Sequence, residues 1–308
     1  RRMLMNLLLN LSREEKDELV REGSLAAAED SRDSGLKDKA NFDFLMARWG
    51  SLFIEQLDAM AELEQEDGFR PHDYELYFGG RDALEIPLGG GRRMRLTGRI
   101  DRVDTLDENG KTWLRVVDYK TSDNKLELNR IEMGLQLQLF TYLDVALAKL
   151  RREGKDASSG GLYYAILDDK WIEDDGEESA VREKLLKKYK LSGMTAAEVA
   201  DRSGDVNMST DLEKLKCSSA LLEAVCRYVR GQEIRFGREI LDGEIRICPE
   251  NGSDELRACR YCSFKSICRF DRRIRGMTAL EVEKDKKKVT AFLERVREAA
   301  GKEENHGL

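Results

Sequence analysis

Histidine is almost missing from this sequence. Only His72 and His306 occur among its 308 residues, and His306 lies in a polar C-terminal tail. Catalytic sets built from Ser, His and Asp or from Cys and His therefore have almost nothing to draw on, and neither does a histidine-rich zinc site. If the chain is a hydrolase, carboxylates and metal ions must carry its chemistry.

Long apolar runs are also missing. No run approaches the roughly 20 residues that a helix needs to cross a bilayer. The early stretch 3–11 is apolar, but it is short and lacks the small-residue cleavage site of a signal peptide. With 37% charged and 41% hydrophobic residues, the composition is that of a soluble globular protein. We expect a cytoplasmic protein with no membrane partner.

The net charge of −7 argues, as an average, against a nucleic-acid partner. The basic residues are nevertheless concentrated in two segments. The first contains Arg92, Arg93, Arg95, Arg99 and Arg102, and the second contains Arg257, Arg260, Lys265, Arg269, Arg272, Arg273 and Arg275. Each segment adjoins a motif described below, so it either faces phosphate or is an ordinary solvated face.

Hydrophobic periodicity predicts a compact mixed α/β core with further helices. The predicted helices are 13–30, 41–65, 130–151, 179–189, 195–202, 212–241 and 278–300. The predicted strands are 74–78, 94–103, 112–120 and 161–167. Asn109-Gly110 predicts a tight hairpin turn between the second and third strands.

Two acidic residues and a lysine are predicted to meet at the ends of two neighbouring strands. Side chains alternate along a strand, so Asp118 and Lys120 share a face, roughly 6.6 Å apart along the chain, and the hairpin places Asp101 beside them. An Asp-x-Lys tripeptide more often forms a surface ion pair. Apolar Val116 and Val117 precede this one, however, and a buried carboxylate needs a compensating cation. We predict a site for Mg²⁺ or Mn²⁺, at which Lys120 orients a water molecule or stabilises an oxyanion.

Gln138 and Tyr142 follow this strand closely. They are four residues apart on a predicted helix and therefore share a face. Such a pair is more often routine packing, but its position favours a role beside the acidic site.

Three cysteines, Cys259, Cys262 and Cys268, lie in one short segment. This density is typical of thiolates that bind zinc or an iron–sulfur cluster, either of which needs a fourth ligand. Incidental thiols are the alternative. Cys217 and Cys226, on a predicted helix, are interpreted as core or surface thiols.

Taken in order, these motifs resemble the RecB-type branch of the PD-(D/E)xK nuclease superfamily. The resemblance is carried by Gly98 with Asp101, Asp118 with Lys120, and Gln138 with Tyr142. Within that branch the chain is similar to the C-terminal nuclease domain of the AddB (RexB-like) family, which belongs to bacterial ATP-dependent helicase–nucleases. Residues 71–78, 98–104 and 118–121 and the cysteine segment are also similar to that family.

The resemblance implies a restriction-endonuclease-like α/β core, formed by a helix, a three-stranded antiparallel hairpin sheet, a helix and a strand, with helical additions. It divides the chain into an N-terminal helical part (1–70), a nuclease core (71–170), a mostly helical insertion (171–245) and a final part with the cysteines and a helix (246–308).

It also implies roles for residues and partners. Asp101 and Asp118 are expected to bind metal, Lys120 to be the catalytic lysine, and Gln138 and Tyr142 to support catalysis near DNA. Glu75 is a weaker metal-ligand candidate, with a structural role as the alternative. The implied partners are DNA and an AddA-type subunit with a helicase motor and a second nuclease, and the implied activity is exonucleolytic processing in double-strand-break repair and recombination.

Two alternatives stay open at this point. One is a stand-alone RecB-like exonuclease of the CRISPR-associated kind, which shares these motifs. The other is a catalytically silent DNA-binding or scaffold domain, against which the intact Asp101, Asp118 and Lys120 set argues.

In the AddB family the three cysteines resemble ligands of a [4Fe–4S] cluster whose fourth cysteine lies ahead of the nuclease core, as does a histidine metal ligand. This sequence has no cysteine before Cys217 and no such histidine, and we expect it to be truncated. We predict that these 308 residues bind the cluster poorly or not at all. Iron and sulfide in stoichiometric amounts in an anaerobically purified sample would contradict this prediction.

Overall fold

The computed structural model describes most of the chain from residue 68 onward. The described stretches are 68–120, 126–166, 191–200, 207–208, 217–251, 262–271, 273–282 and 286–306, with Lys184, Cys259 and a few residues between 12 and 58. The helices predicted at 13–30, 41–65 and 179–189 lie almost wholly outside these residues. None of the helices within the described stretches is long and apolar enough to cross a membrane.

The chain divides into two compact units, each of which is discontinuous in sequence. The first comprises Arg1–Tyr77, Arg99–Lys125 and Ala146–Ser219. The second comprises Phe78–Gly98, Leu126–Val145 and Ala220–Leu308. The four-part division at 70, 170 and 245 stays a prediction.

The described strands form one large sheet and two small ones. In chain order they are β1 (Arg70–Phe78), β2 (Leu84–Gly89), β3 (Arg92–Leu96), β4 (Gly98–Glu108), β5 (Lys111–Lys120), β6 (Ala157–Ile166), β7 (Ser192–Thr195), β8 (Asn207–Met208), β9 (Glu250–Asn251) and β10 (Leu280–Glu281). The large sheet has the order β1-β4-β5-β6-β7-β8, and the small sheets pair β2 with β3 and β9 with β10. The predicted mixed α/β core is therefore confirmed.

The predicted hairpin is present between β4 and β5. Asn109 and Gly110 both have positive φ, 52° and 78°, as a two-residue turn of the type that matches the strand twist requires. The antiparallel register runs from Glu108 opposite Lys111 to Arg102 opposite Val117. The turn thus fixes which residues face each other at the far end of the two strands.

On its other side β5 pairs with β6 in the parallel direction, from Thr112 opposite Ala157 to Lys120 opposite Ile166. A parallel pair needs a connection that crosses back over the sheet. β5 has a neighbour on each side and is buried along most of its length, which agrees with its apolar residues Trp113, Leu114, Val116 and Val117.

A buried carboxylate between two arginines joins β4 to β5. Asp104 accepts hydrogen bonds from Nε of Arg102 at 2.6 Å and from Nε of Arg115 at 2.8 Å, and all three side chains are at most 2% exposed. The ring of Phe69 covers the Arg115 guanidinium, 4.4 Å from its centroid. Burial alone would raise the pKa of Asp104, but the two arginines outweigh it and hold the pKa below its ordinary value.

From residue 68 onward, the described α-helices are α1 (Leu128–Glu132), α2 (Gln138–Arg152), α3 (Ser219–Leu241) and α5 (Lys286–His306), with the single turn α4 (Lys265–Cys268). The one helix predicted at 130–151 is therefore two helices, α1 and α2, with a break between them. Gly134, at φ 80°, ends α1. The N–H of Gly134 bonds to the carbonyl of Ile131 and that of Leu135 to the carbonyl of Arg130, which is the hydrogen-bond pattern of a glycine-terminated helix.

Two other predicted elements are wrong in part. The strand predicted at 94–103 is two strands, β3 and β4, that pair with different partners. The helix predicted at 195–202 is replaced by the end of β7 and a single 3₁₀ turn at Ala197–Val199. Thr195, the first residue of the predicted helix, is instead paired with β6, and its hydroxyl bonds to that of Tyr163 at 2.9 Å.

The last two predicted helices begin late. The helix at 212–241 is observed as α3 from Ser219, and residues 209–216 lie outside the described residues. The helix at 278–300 is observed as α5 from Lys286, because Leu280 and Glu281 pair in parallel with Glu250 and Asn251 instead.

We expect Asp104→Asn to lower the free energy of unfolding by about 3–5 kcal/mol, because two buried guanidinium groups lose their counter-charge. Denaturant unfolding followed by circular dichroism measures the change. Since the pKa of Asp104 is lowered, the stabilisation is present at neutral pH. It is lost as the pH falls through the depressed folded-state value.

The matched control is Glu85→Gln. Glu85 pairs with Arg93 at 2.8 Å in an exposed position, and exposed pairs contribute at most about 1 kcal/mol. A loss for Asp104→Asn no larger than the control's would contradict the structural role of the buried ion triad.

Candidate active site

The ladder between β4 and β5 ends beside Asp101. Its last rung joins Arg102 to Val117, so Asp101 and Asp118 are the next residues along the two strands. Beyond that rung, the backbone N–H of Tyr119 donates to Oδ2 of Asp101 at 2.8 Å. The Asp101 carboxylate is thereby fixed beside the strand that carries Asp118.

Asp118 and Lys120 lie on the same face of β5, as alternation along a strand requires. Their side chains are in contact, with 2.5 Å between Nζ of Lys120 and Oδ2 of Asp118. The Asp118 side chain is 4% exposed and that of Lys120 is 27% exposed. The ammonium also lies 5.7 Å from the ring centroid of Tyr164, which pairs with Asp118 on β6.

The Asp118 carboxylate is in an unfavourable place for an anion. Burial raises its pKa, the nearby Asp101 charge adds to the rise, and the hydrogen bond and charge of Lys120 oppose it. Within the described residues, its buried Oδ2 has no hydrogen bond of normal geometry. Nζ of Lys120 nevertheless lies 2.5 Å from this oxygen, in close ionic contact. The single ammonium of Lys120 therefore compensates only part of the combined negative charge of Asp101 and Asp118.

The two carboxylates fit a hard divalent cation. Mg²⁺ is commonly held by one or two carboxylates, with water and substrate phosphate completing its shell. Among the described residues no group of three or more His, Cys, Asp or Glu side chains is arranged to hold a metal ion. A two-carboxylate site at Asp101 and Asp118 is consistent with both facts.

The comparisons with known proteins decide the family. A family model described as the PD-(D/E)XK nuclease superfamily matches residues 4–269. The chain belongs to this superfamily. Its mixed sheet and the paired Asp101 and Asp118 strands agree with that membership.

Curated relatives of this PD-(D/E)XK protein are named as the B subunits of ATP-dependent helicase/deoxyribonucleases. The chain is 31% identical to that of Bacillus thuringiensis (strain Al Hakam) over 272 residues, which is 79% of this chain and 23% of the relative. It is 28% identical to that of Clostridium botulinum (strain Loch Maree / Type A3) over 291 residues, 87% of this chain and 25% of the relative. It is 26% identical to that of Caldanaerobacter subterraneus subsp. tengcongensis over 289 residues, 85% and 24% respectively. The chain thus spans about a quarter of the length of these relatives.

In this PD-(D/E)XK protein, Gln138 and Tyr142 contact each other on α2, within the second unit. Nε2 of Gln138 donates to the Tyr142 hydroxyl at 2.8 Å. The Tyr142 ring packs edge-to-face against Phe78, with centroids 5.9 Å apart. Phe78 in turn covers Gly98, where a Cβ atom would lie 2.6 Å from the ring. Sequence reasoning singled out the pair but missed that Phe78 and Gly98 support it.

The remaining metal-ligand candidate, Glu75, contacts an arginine. Its Oε2 lies 3.1 Å from Nη1 of Arg99, and both side chains are more than half exposed. A role for Glu75 as a metal ligand stays a prediction.

The first basic segment is not a uniform phosphate-facing surface. Arg102 is buried against Asp104, so for this residue both readings, facing phosphate and forming a solvated face, are wrong. Arg93 and Arg95 pair with Glu85. A run of arginines in the sequence therefore includes one that holds the sheet together.

The cysteine segment shows three half-buried thiols. The N–H of Cys262 bonds to the carbonyl of Cys259 at 3.3 Å, and Cys268 ends α4. Within the described stretches these thiols do not form a three-ligand metal group, so the residues as placed do not fit a cluster. Cys217 and Cys226 are buried, and burial raises the pKa of Cys226 well above its ordinary value. Of the two interpretations, core or surface thiols, the structure has both as core thiols. The predicted helical position holds only for Cys226, because α3 begins at Ser219.

We expect Gly98→Ala to lower the free energy of unfolding by about 1–3 kcal/mol, because the added Cβ must displace the Phe78 ring. Thermal or denaturant unfolding measures this. Gly231→Ala is the control: Gly231 lies within α3 with no described atom within 4 Å of its added Cβ. That substitution should leave stability unchanged or raise it by up to about 1 kcal/mol. Equal stability of the two variants would show that Phe78 moves aside without cost.

Proposed function

We propose that this chain is the metal-dependent DNA exonuclease domain of an AddAB-type helicase–nuclease. The observation that carries the proposal is the convergence of Asp101, Asp118 and Lys120 on one face of two neighbouring strands. Superfamily membership supports a nuclease. The relatives' names support DNA as the substrate.

Asp101, Asp118 and Lys120 have different roles in the proposed hydrolysis of the phosphodiester. Asp101 and Asp118 would hold Mg²⁺ or Mn²⁺, which when bound acidifies a water molecule and neutralises charge that develops on the phosphate. Lys120 is partly exposed and its ammonium is a compact, mobile donor, so it can hold the attacking water or a phosphate oxygen in place. The Tyr119 N–H keeps the Asp101 carboxylate oriented.

The names of the relatives, B subunits of helicase/deoxyribonucleases, support a partner subunit. We propose that the chain works in the cytoplasm with an AddA-type subunit that supplies helicase activity, in the repair and recombination of broken DNA. A [4Fe–4S] cluster belongs to this proposal only for a longer chain that supplies a fourth ligand. The Gln138–Tyr142 pair is proposed to act near the DNA.

We expect Asp118→Asn and Lys120→Met each to lower the rate of cleavage of labelled single-stranded DNA by at least about 100-fold, because each removes charge stabilisation at the reacting phosphate. Denaturing gel electrophoresis in Mg²⁺ or Mn²⁺ measures the rate. Comparison of linear with circular single-stranded DNA tests the exonuclease mode, since only an enzyme that needs an end spares the circle.

Lys111→Met is the control for Lys120→Met, because Lys111 lies at the opposite end of the same strand. It should keep the parent's rate. Cleavage that survives Asp118→Asn would contradict the proposal. DNA binding by the parent without cleavage in either metal would favour the catalytically silent alternative.

A further inference from the structure

Glu75 has a backbone conformation that its surroundings do not explain. Three described residues other than glycine have positive φ: Glu75 at 50°, Asn109 at 52° and Arg269 at 49°. Asn109 forms the hairpin turn, and Arg269 ends α4 as a left-handed cap. Glu75 lies inside β1, where an extended conformation is the ordinary one.

A left-handed residue within a strand turns its side chain away from the regular alternation, as β-bulges beside active sites do. Here the turned side chain places its Oε2 3.1 Å from Nη1 of Arg99. An exposed ion pair contributes little to stability, and less than a left-handed glutamate costs. The contact therefore does not account for the strain through stability alone, which points to a functional reason for it.

Arg99 lies next to the carboxylate site. It is two residues from Asp101 on β4, so both side chains are on one face, roughly 6.6 Å apart along the strand. The burial pattern agrees, with Arg99 exposed, Ile100 buried and Asp101 half-buried. Arg99 is thus the next side chain outward from the site along this face.

We infer that Arg99 binds a backbone phosphate of the DNA strand, next to the phosphodiester held at Asp101 and Asp118, and that Glu75 is a positioning residue for its guanidinium. The inference rests on the proposed nuclease function. A guanidinium has five N–H donors and binds phosphate in a planar, bidentate way. The salt bridge with Glu75 uses Nη1, and the remaining donors provide the phosphate contact.

The first experiment measures binding of a fluorescent single-stranded oligonucleotide without divalent ions, over a range of salt concentrations. Arg99→Gln is expected to raise Kd about tenfold, as the loss of one charge-assisted contact does. It should make the slope of log K against log salt shallower by about 0.7. Lys111→Gln removes the same charge at the far end of the sheet and should leave both quantities unchanged. Equal effects of the two substitutions would overturn the assignment of Arg99.

The second experiment distinguishes a positioning role of Glu75 from a structural role and from metal binding. Glu75→Gly relieves the left-handed strain, so we expect a Tm equal to the parent's or higher. It also frees Arg99, so KM for DNA should rise about threefold with kcat little changed. Glu75→Gln, whose amide oxygen can still accept from Arg99, should restore part of the loss.

Four outcomes would overturn the inference or one of its parts. If Glu75→Gly lowers Tm and leaves KM for DNA unchanged, Glu75 is a structural residue. A higher Mg²⁺ concentration for half-maximal activity, with unchanged DNA binding in the absence of metal, would make it a metal ligand. A parent chain that neither binds nor cleaves DNA would overturn the nuclease proposal itself, and with it the inference on Arg99. A parent that cleaves DNA while Arg99→Gln behaves like Lys111→Gln would remove the inference alone.

Discussion

The candidate site depends on the buried ion triad formed by Asp104 with Arg102 and Arg115. These side chains lie on the face of β4 and β5 opposite to Asp101 and Asp118, because alternation sends even and odd positions of β4 to opposite faces. The triad joins the two strands within three residues of the ladder's end. A slip of one residue between the two strands would send Asp118 to the opposite face and separate the buried Arg115 from Asp104, so the register that aligns the two carboxylates is also the one that completes the triad.

The two faces of the β4–β5 hairpin differ in how the charge of a buried carboxylate is compensated. Asp104 has two guanidinium partners and a lowered pKa, so its charge is compensated within the protein. Asp118 is also buried but has a single ammonium beside it, and its pKa is raised. The difference lies in the number of cations and not in burial, and it leaves the Asp118 side with the capacity to accept a further positive charge.

Local patterns predicted the part of the site that local geometry determines. Asn109-Gly110 and the alternation of Asp118 and Lys120 depend on residues close in sequence, and the structure has them as predicted. The pattern could not show that Thr195 pairs with a distant strand or that Arg102 is buried, since both depend on partners elsewhere in the sheet or on burial. The strain at Glu75 was likewise beyond sequence, because glutamate gives no signal for a left-handed conformation.

The hairpin's two ends differ in how much change they can accept. Asn109 and Gly110 form an exposed tip, six rungs from Arg102 and Val117, and such tips tolerate insertions well. A reporter or an affinity handle placed there would travel with the sheet without entering the acidic end. In related sequences, the loop at the tip can likewise lengthen or acquire new contacts. A change at the other end of the hairpin must instead preserve the packing of the three buried charges.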